Sequence, residues 1–300
     1  MKRLNLILMI SALLLAALAC SLPGQNPTDT PEPVIPTDAP TEEVTEAITE
    51  EVTEEVTTEP TEEPYTCAAG MLPEVAFTVE FCYPSAYATG VNQAFIAEVP
   101  PDPNMAPWDY NPDMIQLDLN GYPVPNEYHT PTIRIYPVAD YIALEPNIQT
   151  TITTLQGLLA SQDPNPTGIP FLPIFNAAQM MRAQVSYLTF RNGQGVRFIT
   201  QYGQAYMPIN NVSAFYAFSG LTDDGQYFIS ASFPVSHPDF AADNMTEPAE
   251  GWEAFTNNYE TYITDLETYL AGQPSNAFTP DLAALDAMME SFLVPATAIP

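Results

Sequence analysis

Residues 183–235 carry runs of alternating apolar and polar side chains divided by short polar segments, and no other feature restricts the fold as strongly. The runs cover 183–190, 195–202, 212–219 and 226–235. Arg191-Asn192-Gly193-Gln194 and Thr222-Asp223-Asp224-Gly225 stand between paired runs and offer the positive-φ positions of tight hairpins. The segment therefore predicts an antiparallel meander. Further strands are expected at 93–99, 114–119 and 132–136, and Val75, Phe77, Val79, Phe81 and Tyr83 alternate with polar or small residues as one more half-buried strand. Helical spacing unites Ile148, Ile152, Leu155 and Leu159, then Trp252, Phe255, Tyr259, Tyr262, Leu266 and Tyr269. A last helix carries Leu282, Leu285, Met289 and Phe292, with Thr279 as its cap and Pro280 in its first turn. Strands with segregated helices predict an α+β fold, an antiparallel sheet with helices packed on one face.

The N-terminus has a different character. Met1-Lys2-Arg3 is followed by 16 residues, 4–19, interrupted only by Asn5 and Ser11 and ending in small side chains before Cys20. This is the pattern of a secretion signal, and it is shorter than the ~20 apolar residues of a permanent membrane span. Ala17-Leu18-Ala19-Cys20 resembles the lipobox of bacterial lipoproteins. Ala19 and Cys20 fit, whereas Ala17 and Leu18 depart from that family's preferred residues and satisfy the A-x-A rule of ordinary signal peptidase. The resemblance implies removal of residues 1–19 and fatty acylation, of palmitate type, at Cys20. Cysteine parity favours it, because Cys67 and Cys82 then remain as an even pair that can close in an oxidising exterior. In the expected strand Cys82 points to the polar face, where it can bond a segment lying over the sheet; two unpaired thiols are the alternative.

Residues 20–66 are expected to form a disordered stalk. From residue 21 to 66 the chain has 8 prolines, 11 threonines and 13 acids, too little apolar surface to offset chain entropy. Threonine recurs every fourth residue from Thr41 to Thr61, but Glu42, Glu46, Glu50 and Glu54 repel one another at the same spacing, which favours an extended spacer over a helix. Residues 67–300 then form a single domain.

Charge narrows the function. Residues 67–300 hold 24 acids against four arginines, which excludes a nucleic-acid partner because phosphate contacts require many cations. Two histidines leave no multi-histidine metal site, and the serine-hydrolase elbow, zinc-protease helix, P-loop, dinucleotide and C-x-x-C motifs are all missing. No cofactor is expected. His129 and His237 each adjoin a Pro-rich stretch and read as solvated loop residues. Asp109, Asn111 and Asp113 match the opening of a calcium loop, but Met114 and Asn120 occupy the positions where that loop needs Gly and Glu. The loop 100–131, with eight prolines, carries Trp108, Tyr110, Tyr122 and Tyr128, rings suited to a glycan or protein ligand, or else to covering the domain's own core.

These features predict an exported protein, lipid-anchored to the outer face of a bacterial membrane, whose domain binds an extracellular ligand or partner without catalysis. The alternative is an anchored hydrolase using paired carboxylates. In order of elements alone the domain resembles lipid-anchored PsbP-like α+β domains, a likeness that transfers no functional residue.

Overall fold

A computed structural model describes residues 65–299. The expected signal peptide 1–19, the lipidation site Cys20 and all but the last residues of the 20–66 stalk lie outside them.

The described chain begins with a hairpin of β1 (Met71–Ala76) and β2 (Val79–Pro84). β3 (Gly90–Ile96), β4 (Met114–Asn120) and β5 (Thr132–Pro137) follow, then helices α1 (Val138–Leu144) and α2 (Ile148–Ser161). The short β6 (Ala178–Gln179) precedes β7 (Ala183–Phe190) and β8 (Gly193–Thr200), and β9 (Tyr202–Gly203) pairs back with β6. β10 (Phe215–Thr222) and β11 (Tyr227–Pro234) complete the strands, and α3 (Trp252–Asn257), α4 (Tyr259–Ala271) and α5 (Leu282–Glu290) complete the helices. Seven strands form the main sheet in the order β3-β4-β5-β11-β10-β8-β7, with antiparallel neighbours throughout. The fold is α+β, and the meander of residues 183–235 supplies β7, β8, β10 and β11.

The sheet is covered on both faces. Ile135, Ile199, Tyr216, Phe218 and Ile229 pack beneath α3, α4 and α5 with Phe255, Ile263, Leu285 and Met289. The opposite face adds a second cover, in which Val196, Phe198, Phe215, Ala217 and Phe228 meet Ile148, Ile152 and Leu155 of α2. This is why β10 and β11 are buried at every position instead of alternately. Each fully buried Phe or Ile in these layers contributes about 1.5 to 3 kcal/mol.

Local chemistry shifts several expected boundaries. The single strand expected across Val75 to Tyr83 is a hairpin that turns at Phe77 and Thr78, with Phe77 at φ 56°. Cys82 consequently lies in β2 and is buried, not on an exposed polar face; it forms a disulfide with Cys67, and its N–H donates to Ser291 Oγ at 2.8 Å. Gly193 does not take a positive φ; it opens β8 opposite Phe190, where an added Cβ would collide with the Phe190 ring and the Leu221 carbonyl. Gly225, in the next hairpin, does adopt the left-handed region, at φ 69°. The helix expected across Trp252 to Tyr269 breaks at Asn258, whose side-chain amide bonds Ala254 O and whose N–H is shared between Ala254 O and Phe255 O. The last helix is capped by Asp281, whose Oδ1 accepts from the Ala283 N–H at 3.0 Å, and not by Thr279, whose backbone pairs with Ser236.

Candidate functional site

An uncharged cleft opens where the loop before β5, the loop before β6 and the chain between β9 and β10 converge. Asn126 organises its first wall. The Asn126 Oδ1 accepts from the N–H groups of Tyr128 (2.9 Å) and His129 (3.0 Å), a turn that asparagine forms readily. Its Nδ2 donates to Ala214 O at 3.1 Å, and the neighbouring Glu127 N–H donates to Val212 O at 2.8 Å. Tyr128 and His129 are thereby tied to the segment that contains Ser213.

Aromatic rings form the rest. The His129 ring lies 4.1 Å from the Phe215 ring, centroid to centroid, and 5.4 Å from Phe175. Phe175 meets Tyr202 edge to face at 4.7 Å. The Tyr202 hydroxyl accepts from Gln179 Nε2 at 3.0 Å, and Gln179 also holds the backbone of Ile169, so the ring is fixed from behind. At the rim Gln204 Nε2 donates to Asn176 O at 2.7 Å. The cleft encloses about 460 Å³, within the usual range for small-molecule sites.

Its electrostatics are simple. Burial, aided by the positive charge of Arg134, pushes the His129 imidazole down to about 4, so the ring is neutral at physiological pH. Burial pushes the Tyr202 phenol up to about 12. Tyr128, Asn176 and Gln204 supply the remaining polar side chains, and no charged side chain lines the walls. The arrangement offers ring faces, amides and hydroxyls, the chemistry of binding a neutral molecule that has an apolar face and a polar edge.

Only part of the expected ligand surface gathers here. Tyr128 is at the mouth of the cleft, 64% exposed, with its hydroxyl accepting from Asn244 Nδ2 at 3.1 Å. Tyr122 packs on the core instead, against Phe233 at 6.3 Å, with its hydroxyl donating to Pro234 O. Trp108, on the single helical turn Pro107–Asp109, and Tyr110, whose hydroxyl bonds the carbonyls of Asp102 and Met105, belong to the β3–β4 loop and do not line the cleft. β4 divides the proline-rich stretch into two loops, which separates these rings.

The partial calcium motif is occupied by local bonds. Asp109 Oδ2 accepts from the Ala106 N–H, Asn111 Nδ2 donates to Ala97 O and Pro112 O, and Asp113 Oδ1 accepts from the Glu98 N–H at 2.7 Å. Among the described residues no group of three or more His, Cys, Asp or Glu converges as metal ligands.

Neither histidine is the solvated loop residue its neighbours suggest. His129 is half-buried, tilted against Phe215 and edge-on to Phe175, and His237 is 3% exposed among Phe240, Phe278 and Tyr269, accepting the Asp239 N–H at Nδ1. The carboxylates Asp286 and Glu290, one helical turn apart, stand away from the cleft. Asp286 grips Arg197 through two hydrogen bonds of 2.9 and 2.7 Å and accepts from the Tyr216 hydroxyl. A larger polar groove, about 680 Å³, runs beside Arg182, Gln184 and Glu267, but its groups satisfy one another, with Arg182 paired to Glu267 and the Gln184 amide donating to Leu270 O and Gln273 O. Behind the cleft, the Ser213 hydroxyl is buried without a partner among the described residues.

Sequence reasoning passed over His129, Phe175, Tyr202 and Ser213. The one legible signal was Asn126 two and three residues before Tyr128 and His129, the spacing of an asparagine turn that presents its next residues on a fixed loop. No protein-family model matches the chain, and no curated protein matches it significantly.

Proposed function

We propose that the protein is an exported lipoprotein, acylated at Cys20 and held on the outer face of a bacterial membrane, whose domain binds a neutral glycan in the cleft without transforming it. The observation that carries this reading is the uncharged aromatic lining of Tyr128, His129, Phe175 and Tyr202 beside the amides of Asn176 and Gln204. Sugar rings present an apolar face to such rings and hydroxyls to such amides, and a prearranged wall loses little entropy on binding. An acidic ligand finds no countercharge here, and the acidic surface repels it. A carboxylate hydrolase would require two carboxylates facing the ligand, and none lines this cleft.

The test is capture of glycans by the whole protein in detergent, read by mass spectrometry, with Tyr128→Ala and Phe175→Ala as controls. Neutral glycans retained by the native protein and lost from both variants would support the reading. Retention of acidic glycans only, or equal retention by the variants, would overturn it. Anchorage is tested separately: Cys20→Ser should release the protein from the membrane fraction, and unchanged association would contradict acylation.

A further inference from the structure

We infer that the protein pairs with a second copy of itself along β3, joining the two seven-stranded sheets about a two-fold axis at Gln93. β3 is a terminal strand of the main sheet and pairs only with β4. The Leu119 N–H donates to Pro131 O and the Thr89 N–H to Asn120 O, so β4 turns its odd-numbered residues to β5 and its even-numbered ones to β3. The register then points the backbone N–H and C=O groups of Val91, Gln93 and Phe95 away from β4, and they have no backbone partner among the described residues. The Gln93 side chain donates to Glu74 and to Val75 O in the β1–β2 hairpin, which occupies its amide and leaves its backbone groups open. From Gly90 to Ile96 the strand has no charged residue, no proline and no register shift, the devices that keep sheet edges from pairing. The opposite edge is guarded: β7 shifts register between Ala183 and Ser186, and the Arg182 N–H is taken by the Glu267 carboxylate at 2.6 Å.

The open groups fit their own copy. In an antiparallel pair centred on Gln93, each Gln93 faces the other, and Val91 and Phe95 of one copy face Phe95 and Val91 of the second. Directly opposed residues of this kind exchange both N–H···O bonds, so every outward group gains a partner. Phe95, 43% exposed, then lies against the copy's Val91, an aromatic ring on a β-branched side chain, a favourable cross-strand pair. Charge selects the same strip. Residues 67–300 hold 24 acids against four arginines, so two copies repel over most of their surface and can approach along an uncharged strand. A single strand pair is smaller than the ~1,200 Å² or more of a permanent interface, so the dimer is reversible, and confinement of copies to one membrane favours it.

The test uses the full chain in detergent, sedimented over a range of concentrations as the native protein and as Gln93→Pro and Phe95→Glu. The native protein should pass reversibly from monomer to dimer as its concentration rises. Gln93→Pro removes one outward N–H from each copy and no bond to β4, and should weaken the dimer about tenfold or more. Phe95→Glu sets a carboxylate against the copy's Val91 and should act in the same direction. Both should melt near the native temperature; where one melts lower, cross-linking decides. Under a mild oxidant Gln93→Cys, adjacent to its copy at the axis, should form linked dimers, whereas Thr189→Cys, exposed on β7, and the native protein should not. A native protein that stays monomeric at every concentration, a dimer that survives both substitutions, or linkage no greater for Gln93→Cys than for Thr189→Cys would overturn the pairing.

Discussion

His129 lies over Phe215, the first residue of the central strand β10, with ring centroids 4.1 Å apart. A histidine from a polar loop thus becomes part of the aromatic layer, and its charge state becomes linked to folding. Its pKa falls from the usual 6.5 to about 4 because burial disfavours the imidazolium and Arg134 opposes it. Between those values the unfolded chain binds the extra proton and the folded chain does not. Stability should therefore be insensitive to this group at pH 7 and should decline as the pH drops from about 6.5 towards 4, by on the order of 1 to 3 kcal/mol. Denaturant melts of native protein and His129→Asn at pH 7, 6, 5 and 4 measure this. The slope of the native protein should exceed that of the variant, and parallel slopes would remove the link. His237, also pushed down by burial with Asp239 opposing, contributes a slope of the same sign to both proteins.

The Arg197–Asp286 pair ties α5 to β8 beneath the helical cover, with side chains only 8% and 17% exposed. Arg197 also donates to the Gln184 carbonyl. Asp286→Ala leaves the guanidinium buried without its carboxylate and should lower unfolding stability by about 3 to 5 kcal/mol. Replacing both partners together, Arg197→Met with Asp286→Leu, should cost less than that single change, because no charge is stranded. Urea melts of the native protein and these two variants decide it.

The Cys67–Cys82 disulfide closes a loop across a separation of 15 residues, and it should contribute about 3 kcal/mol by restricting the unfolded chain. Thiol counting on the unfolded, unreduced protein should find neither cysteine free. Cys67→Ser with Cys82→Ala should shift the denaturation midpoint down by the corresponding amount.

Phe77 occupies the tip of the β1–β2 hairpin at φ 56°, a left-handed conformation that a bulky side chain adopts at a cost, and the residue is 49% exposed. Glycine relieves that cost at the first turn position of such a hairpin. Phe77→Gly should stabilise the protein by about 1 kcal/mol in thermal melts, whereas a loss of stability would mean that the ring's packing outweighs the backbone strain.

The parts of the fold that follow from local periodicity were legible in the sequence. β7 matches its expected range, and α2 bears its expected stripe of Ile148, Ile152 and Leu155. What escaped was decided by tertiary contact. Phe77 continues the period of its neighbours, so the turn there cannot be seen in a pattern of side chains. The second cover on the sheet was encoded in β10 and β11, where Phe215, Ala217, Phe228 and Ala231 fill both faces, but a short run of this kind reads equally well as half-buried. The cleft was the least visible element, because Tyr128, Phe175, Tyr202 and Ser213 come from four separate segments and only folding brings them together. Of the four aromatics expected to bind ligand, the structure brings one, Tyr128, to the cleft.

The most direct test of the account is a nuclear magnetic resonance titration of the 15N-labelled full chain in detergent with the methyl glycosides. The account predicts that amide signals of Tyr128, His129, Asn176, Gln204 and Ser213 move together and saturate, that signals of the polar groove at Gln184 and Glu267 stay in place, and that Tyr128→Ala raises the dissociation constant roughly three- to tenfold, the range of one aromatic contact. Shifts confined to the polar groove, or no saturable shift at the cleft residues with any of the sugars, would contradict it.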